Sequence, residues 1–296
     1  MIKKLLCIVL LLCTYKAISN WGFFAHKKIN KMAVFTLPES MNDFFLRHID
    51  LLEQQSVNAD KRRYTMKNEA PRHYIDIDVY DADSPFVVVP KRWNEAVEKY
   101  SEDTLMEYGI LPWHVQSQYM FLVNAFKDND AKRVIDLCSD IGHYIADAHV
   151  PLHTTKNYNG QFTNQHGIHG FWESRLPELF AVNYDYVLPP IDYVDNVLFY
   201  VWEIIEDSYH AKDSVLDFEA QLNRNFSSDL KYSFEEKSGG SKKVYSKEYS
   251  TTYHHLLNGM VERQLRLSIY AIGSVWYSAW VDSGQPNMTH WEVNQK

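Results

Sequence analysis

From Lys132 to Val150, apolar residues recur at Val134, Ile135, Cys138, Ile141, Ile145 and Ala148, and Pro151 follows. That spacing is the period of an α-helix with one buried face, and the proline ends it. No other segment constrains the fold as tightly, because the opposite face is not ordinary surface. It carries Asp136, Asp140, His143 and Asp147, three or four residues apart throughout. His153 follows just beyond the proline, and His169-Gly-Phe-Trp-Glu173 repeats the same spacing of a histidine and an acid. Side chains four apart on a helix lie one turn apart on one face, so each pair can grip one metal ion. Imidazole and carboxylate without thiolate suit zinc in a hydrolytic site.

The rest of the chain reads as helical too. A second long helix is expected from about Tyr253 to Val281, stopped by Ser283-Gly-Gln-Pro286, with shorter ones at Lys91 to Glu107, Pro112 to Lys127, Tyr193 to Tyr209 and Ser214 to Lys231. Ser238-Gly-Gly-Ser241 reads as a loop between helices, and no alternating series is long enough for a sheet. Trp113, Trp202, Trp276 and Trp280 are assigned to the core. The expected architecture is all-α: a single multi-helix domain over residues 21–296 with a zinc cluster in a cleft between helices.

Residues 1–20 read as a signal peptide. Lys3 and Lys4 precede an apolar run from Leu5 to Cys13, and Ala17-Ile-Ser19 supplies small residues where a signal peptidase cuts. The run falls well short of the roughly 20 residues that span a bilayer. An exported chain, periplasmic or secreted, is therefore expected. Losing Cys7 and Cys13 with the leader leaves Cys138 alone, which excludes an internal disulfide. Losing Lys3, Lys4 and Lys16 takes the formal charge from -8 to -11, which argues against non-specific adhesion to nucleic acid or anionic lipid. Bound zinc would reverse that charge locally, so a phosphate ester is still allowed as substrate.

Candidate ligands fall in four clusters. His26 closes Trp21-Gly-Phe-Phe-Ala-His; Asp60 opens Asp-Lys-Arg-Arg63 and precedes His73-Tyr-Ile-Asp76; His143, Asp147 and His153 form the third; His169 and Glu173 form the fourth. Eight such residues are enough for more than one ion. His149, six residues from His143, lies on another helical face and is expected not to be a ligand.

In order, spacing and residue type these motifs resemble the zinc-dependent phospholipase C and single-strand-specific nuclease superfamily, mostly helical enzymes with three zinc ions in one cleft. The resemblance runs from about Trp21 to Glu173. It implies that Asp60, His73, His143 and Asp147 hold one zinc, that His153, His169 and Glu173 hold a second, and that Trp21 (through its backbone), His26 and a shared Asp147 hold a third. It further implies that Arg63 stabilises charge on the phosphate and that Tyr74 and Asp76 contact a base. The best cleavage pattern leaves Asn20 ahead of Trp21, whereas the family binds its third zinc through the free amine of an N-terminal tryptophan.

The implied activity is hydrolysis of a phosphodiester, by in-line attack of a zinc-bridging hydroxide with Asp60 and Arg63 as catalytic residues. Asp136 and Asp140 are expected to accept hydrogen bonds from ligand rings. The Asp-x-x-Arg and His-Tyr-Ile-Asp units resemble the nucleases. The spacing of His143, Asp147 and His153, the short gap to His169, and glutamate at 173 resemble phospholipase C. The expectation is a phospholipase C-like enzyme, with a single-strand-specific endonuclease or 3'-nucleotidase as the alternative and a non-catalytic exported zinc-binding protein as the reading from another class. A monomer without a stable protein partner is expected.

Overall fold

In the computed structural model, residues 22–237 and 240–293 are described. The expected leader, Trp21, and Ser238 and Gly239 of the expected loop lie outside them.

The segment singled out above forms the Ala131–Ala148 helix. Asp130 caps it by accepting from the Arg133 amide at 3.0 Å, and the chain turns extended at Val150 ahead of Pro151. Its predicted apolar stripe is fully buried, and so are Gly142, His143, Tyr144, Ala146 and Asp147 around the other side. The helix is enclosed because the Phe23–Val34, Ile49–Gln55, Leu111–Lys127, Val197–Asn225 and Met260–Asp282 helices all pack against it. Two side chains from these neighbours also hydrogen-bond its backbone: Trp276 Nε1 donates to the Cys138 carbonyl at 3.2 Å, and Ser208 Oγ to that of Ala148 at 2.8 Å. All four tryptophans assigned to the core are buried there. Each contributes on the order of 4 kcal/mol of gross burial energy.

Among the described residues the architecture is all-α apart from one small ribbon. Tyr232–Lys237 and Gly240–Tyr245 pair antiparallel, with Tyr232 opposite Tyr245, where the sequence predicts only a loop. Its hold on the body is tertiary and invisible to periodicity. Arg175 donates to both Glu235 oxygens at 2.9 and 2.5 Å, and the Tyr245 ring stacks on Phe171 at 3.8 Å.

Three helix expectations also change. The long C-terminal helix is two, Lys247–Leu256 and Met260–Asp282, broken where Asn258 and Gly259 take φ of 47° and 74°. Ser101, at φ 71°, likewise divides the expected 91–107 helix into Trp93–Tyr100 and Glu102–Tyr108. Conversely, the helices expected at 193–209 and 214–231 are one, Val197–Asn225, since His210 to Asp213 holds no Gly or Pro to break it. Among the described residues no helix is long and apolar enough to cross a membrane.

Candidate metal centre

The eight predicted ligands come from seven separate elements and meet in one place, none more than 7 % exposed. The Phe23–Val34 helix supplies His26, the short Asn58–Arg62 helix Asp60, and the Ala70–His73 turn His73. The central helix supplies His143 and Asp147, and the Pro151–Thr154 turn His153. His169 sits on the Ile168–Gly170 turn, and Glu173 follows where Phe171–Arg175 winds as a π-turn.

Three groups of ligand atoms converge: His73, His143 and Asp147; His26, Asp60 and His143; and His153, His169 and Glu173. In the first, His73 Nδ1 lies 2.9 Å from Asp147 Oδ2 and 3.1 Å from His143 Nε2, with Asp60 Oδ1 3.8 Å from His143 Nε2. His26 Nε2 is 3.4 Å from Asp147 Oδ1, and its ring stacks on His143 at 3.7 Å. In the third group, His153 Nε2 and His169 Nε2 are 3.0 Å apart, and each lies within 3.4 Å of Glu173 Oε2.

The outer nitrogens decide what these atoms present to one another. His143 Nδ1 faces the Ser56 carbonyl at 2.7 Å, His153 Nδ1 that of His73 at 2.6 Å, and His169 Nδ1 that of Tyr158 at 3.1 Å. A carbonyl only accepts, so each Nδ1 carries a proton; His153 and His169, kept neutral by burial, then aim an Nε2 lone pair inward. In the third group two lone pairs and a carboxylate then face one another at hydrogen-bond distance, and none of the three offers a donor to the other two. A divalent cation resolves that repulsion. Likewise, among the described residues, neither ring nitrogen of His26 nor Asp147 Oδ1 has a hydrogen-bond partner, although all are buried. The donor set therefore fits metal.

Electrostatics agree. Burial lowers the pKa values of His26, His73, His153 and His169, which keeps these rings neutral as ligation requires. Burial acts to raise Asp147, but His143, His153 and His26 outweigh it and hold the carboxyl well below the usual range. Against the same penalty, Asp147 and Asp60 push His143 up to about 9: the carboxylates demand positive charge here.

Beside the centre opens a pocket of about 160 Å³. Ligands His73, His153 and His169 line it, together with Arg63, Tyr74, Asp76 and Tyr158. Arg63 stands 3.8 Å from Asp60 Oδ1. Burial, with Asp78 nearby, pushes Asp76 up to about 7. Arg63, Tyr74 and Asp76 thus share one cavity with three of the eight ligand-type residues, and Asp60 reaches it only through its contact with Arg63.

Asp136 and Asp140 do not accept from ligand rings. Asp136 pairs with Lys132 at 2.6 Å and Asp140 with Arg62 at 2.9 and 3.1 Å, while backbone carbonyls hold His143, His153 and His169 instead. His149 is buried away from the ligand groups, its Nδ1 2.8 Å from the Ile145 carbonyl. Trp21 is outside the described residues, yet its neighbour Gly22 is at the site, donating its amide to the Glu173 carbonyl at 3.3 Å.

Residues that sequence reasoning missed include Tyr158, Glu69 and Gly142. Tyr158 carries no local signal. Glu69, four before His73, repeats the acid-to-histidine spacing used elsewhere, and Gly142 adjoins His143; both could have been found. A scan against protein-family models and a search of curated proteins both return no match to this chain.

Proposed function

We propose that this protein is a zinc-dependent phosphoric ester hydrolase of the phospholipase C type, related to the zinc-dependent phospholipase C and single-strand nuclease superfamily that its motifs resemble. The observation that carries the reading is the convergence of buried histidine and carboxylate groups on a pocket that also contains an arginine. Export belongs to the same proposal, on the strength of the leader-like N-terminus.

Zinc bound by these nitrogen and oxygen donors would supply Lewis acidity and bring the pKa of water toward neutrality. The chain's own residues would do the rest. Arg63 presents a planar, permanently charged fork to the non-bridging phosphate oxygens. Asp60, 3.8 Å from Arg63, holds that fork in place as well as serving as a ligand. Tyr74 and Tyr158 offer ring surface, and Asp76 a carboxyl, to the group attached to the phosphate. Aromatic rings beside a carboxyl suit the quaternary ammonium of a choline head group. Tyr74 and Asp76 also favour a second reading, a single-strand-specific nuclease, in which the ring stacks on a base and the carboxyl bonds its edge.

The test is hydrolysis of phosphatidylcholine, single-stranded DNA and RNA in parallel, each with chelator and then with zinc restored. Zinc-restored release of phosphocholine with intact polynucleotide is the expected result. Release of nucleotides with intact lipid would make the protein a nuclease, and inactivity on all three would leave the non-catalytic zinc-binding reading.

A further inference from the structure

Glu69 is a fully buried carboxylate directly behind the candidate metal centre, and it belongs to none of the three ligand groups. Its Oε1 accepts from the Tyr144 hydroxyl at 2.5 Å and from Arg62 at 3.3 Å, and its Oε2 from Arg72 at 2.7 Å. Arg62 continues the chain of contacts, donating to Asp140 and, at 3.2 Å, to the Tyr144 oxygen. Two arginines and a tyrosine are more than enough to satisfy one carboxylate. Yet Oε1 also faces His73 Nε2 across 3.8 Å, just beyond hydrogen-bond reach.

His73 is turned the other way from its fellow ligands. His143, His153 and His169 hand Nδ1 to backbone carbonyls and aim Nε2 inward. His73 aims Nδ1 at Asp147 and His143, so its Nε2 points out, toward Glu69. A neutral ring with its Nδ1 lone pair on a cation must carry its proton on Nε2. The outward nitrogen therefore needs negative potential beside it, and Glu69 provides it from one turn back along the chain.

We propose that Glu69 is a positioning residue. Its carboxylate selects the Nε2-protonated form of His73 and holds the ring with Nδ1 toward the metal, while Arg62, Arg72 and Tyr144 hold Glu69. The inference rests on the site holding metal and is independent of which ester is cut.

The test compares Glu69→Gln with Tyr144→Phe in the full-length protein, reading zinc affinity by competition with a chromophoric chelator and the ¹⁵N resonances of the histidine side chains. Tyr144→Phe removes a bond from the same network but leaves the carboxylate facing His73. Glu69→Gln is expected to weaken one zinc ion by roughly 10- to 100-fold and Tyr144→Phe by less than about 3-fold. In the zinc-loaded wild type His73 should show a protonated Nε2, and in Glu69→Gln a shifted or broadened one. Equal effects of the two substitutions, or wild-type affinity in Glu69→Gln, overturn the proposal. If Glu69→Gln does not fold, Glu69→Asp keeps the charge for the arginines but withdraws it from His73; wild-type affinity there also overturns it. A wild-type protein that takes up no zinc overturns the reading of the site itself, and this inference with it.

Discussion

Arg63 lies 3.8 Å from Asp60 and also lines the pocket, where the proposed reaction would place its phosphate. Lysine keeps the charge but not the fork, so Arg63→Lys should lower kcat/KM roughly 100-fold while leaving zinc content unchanged. Parallel kinetics and metal analysis check both halves. His114 makes a prediction about stability. Burial, with Arg72 and Arg62 nearby, lowers its pKa to about 3. The unfolded chain takes up this proton below pH 6.5 and the folded chain refuses it, so stability is lost as pH falls from 6.5 toward 3 and is unaffected above that window. By pH 5 the loss from this one group is about 2 kcal/mol. Denaturant unfolding of the metal-free protein at pH 7 and pH 5 should show that difference shrinking by about the same amount in His114→Gln. What was legible at this scale was residue type at helical spacing. His143 with Asp147 and His169 with Glu173 announce themselves, because four residues along a helix is a spatial statement. The carbonyls of Ser56 and Tyr158 that orient the rings do not, since any residue can supply one from anywhere in the chain.

Between elements the decisive contact is at Gly142. A Cβ built there would lie 2.0 Å from Asn30 Oδ1, and Asn30 Nδ2 in turn donates to the His26 carbonyl at 3.0 Å. The glycine lets the Phe23–Val34 helix approach closely enough for His26 to stack on His143. In an open helix Gly→Ala would stabilise by up to about 1 kcal/mol. Here the clash should win, leaving Gly142→Ala destabilised by roughly 1–3 kcal/mol, with adding Asn30→Ala restoring part of it. Thermal unfolding of the single and double variants reads this directly. The same scale shows why some helix boundaries were legible and others not. Pro151 and the Asp130 cap bracket the central helix in plain sight. At Leu256 to Met260 the apolar period continues while the backbone turns left-handed at Asn258 and Gly259, and periodicity alone runs straight through. The Tyr232–Tyr245 ribbon was lost for another reason: its anchors, Arg175 and Phe171, are distant in sequence.

For the molecule as a whole, the metal centre is a liability until it is filled. Desolvating so many buried nitrogen and oxygen donors opposes folding, and a bound metal ion would turn the same atoms into cross-links among seven elements. Chelation should therefore lower the melting temperature by roughly 10 °C, and zinc should restore it. A scan unchanged by chelator would argue against metal in the folded protein. The overall class was legible because one helix with two functional faces has to be surrounded, and helices are what the rest of the chain offers. The enclosing Met260–Asp282 helix packs on both the Phe23–Val34 helix and the central helix, and it is synthesised after every ligand from His26 to Glu173. During translation the ligands therefore leave the ribosome long before the wall that encloses them, and a chain cut short before the Met260–Asp282 helix would carry all eight ligand-type side chains without the packing that holds two of their elements together.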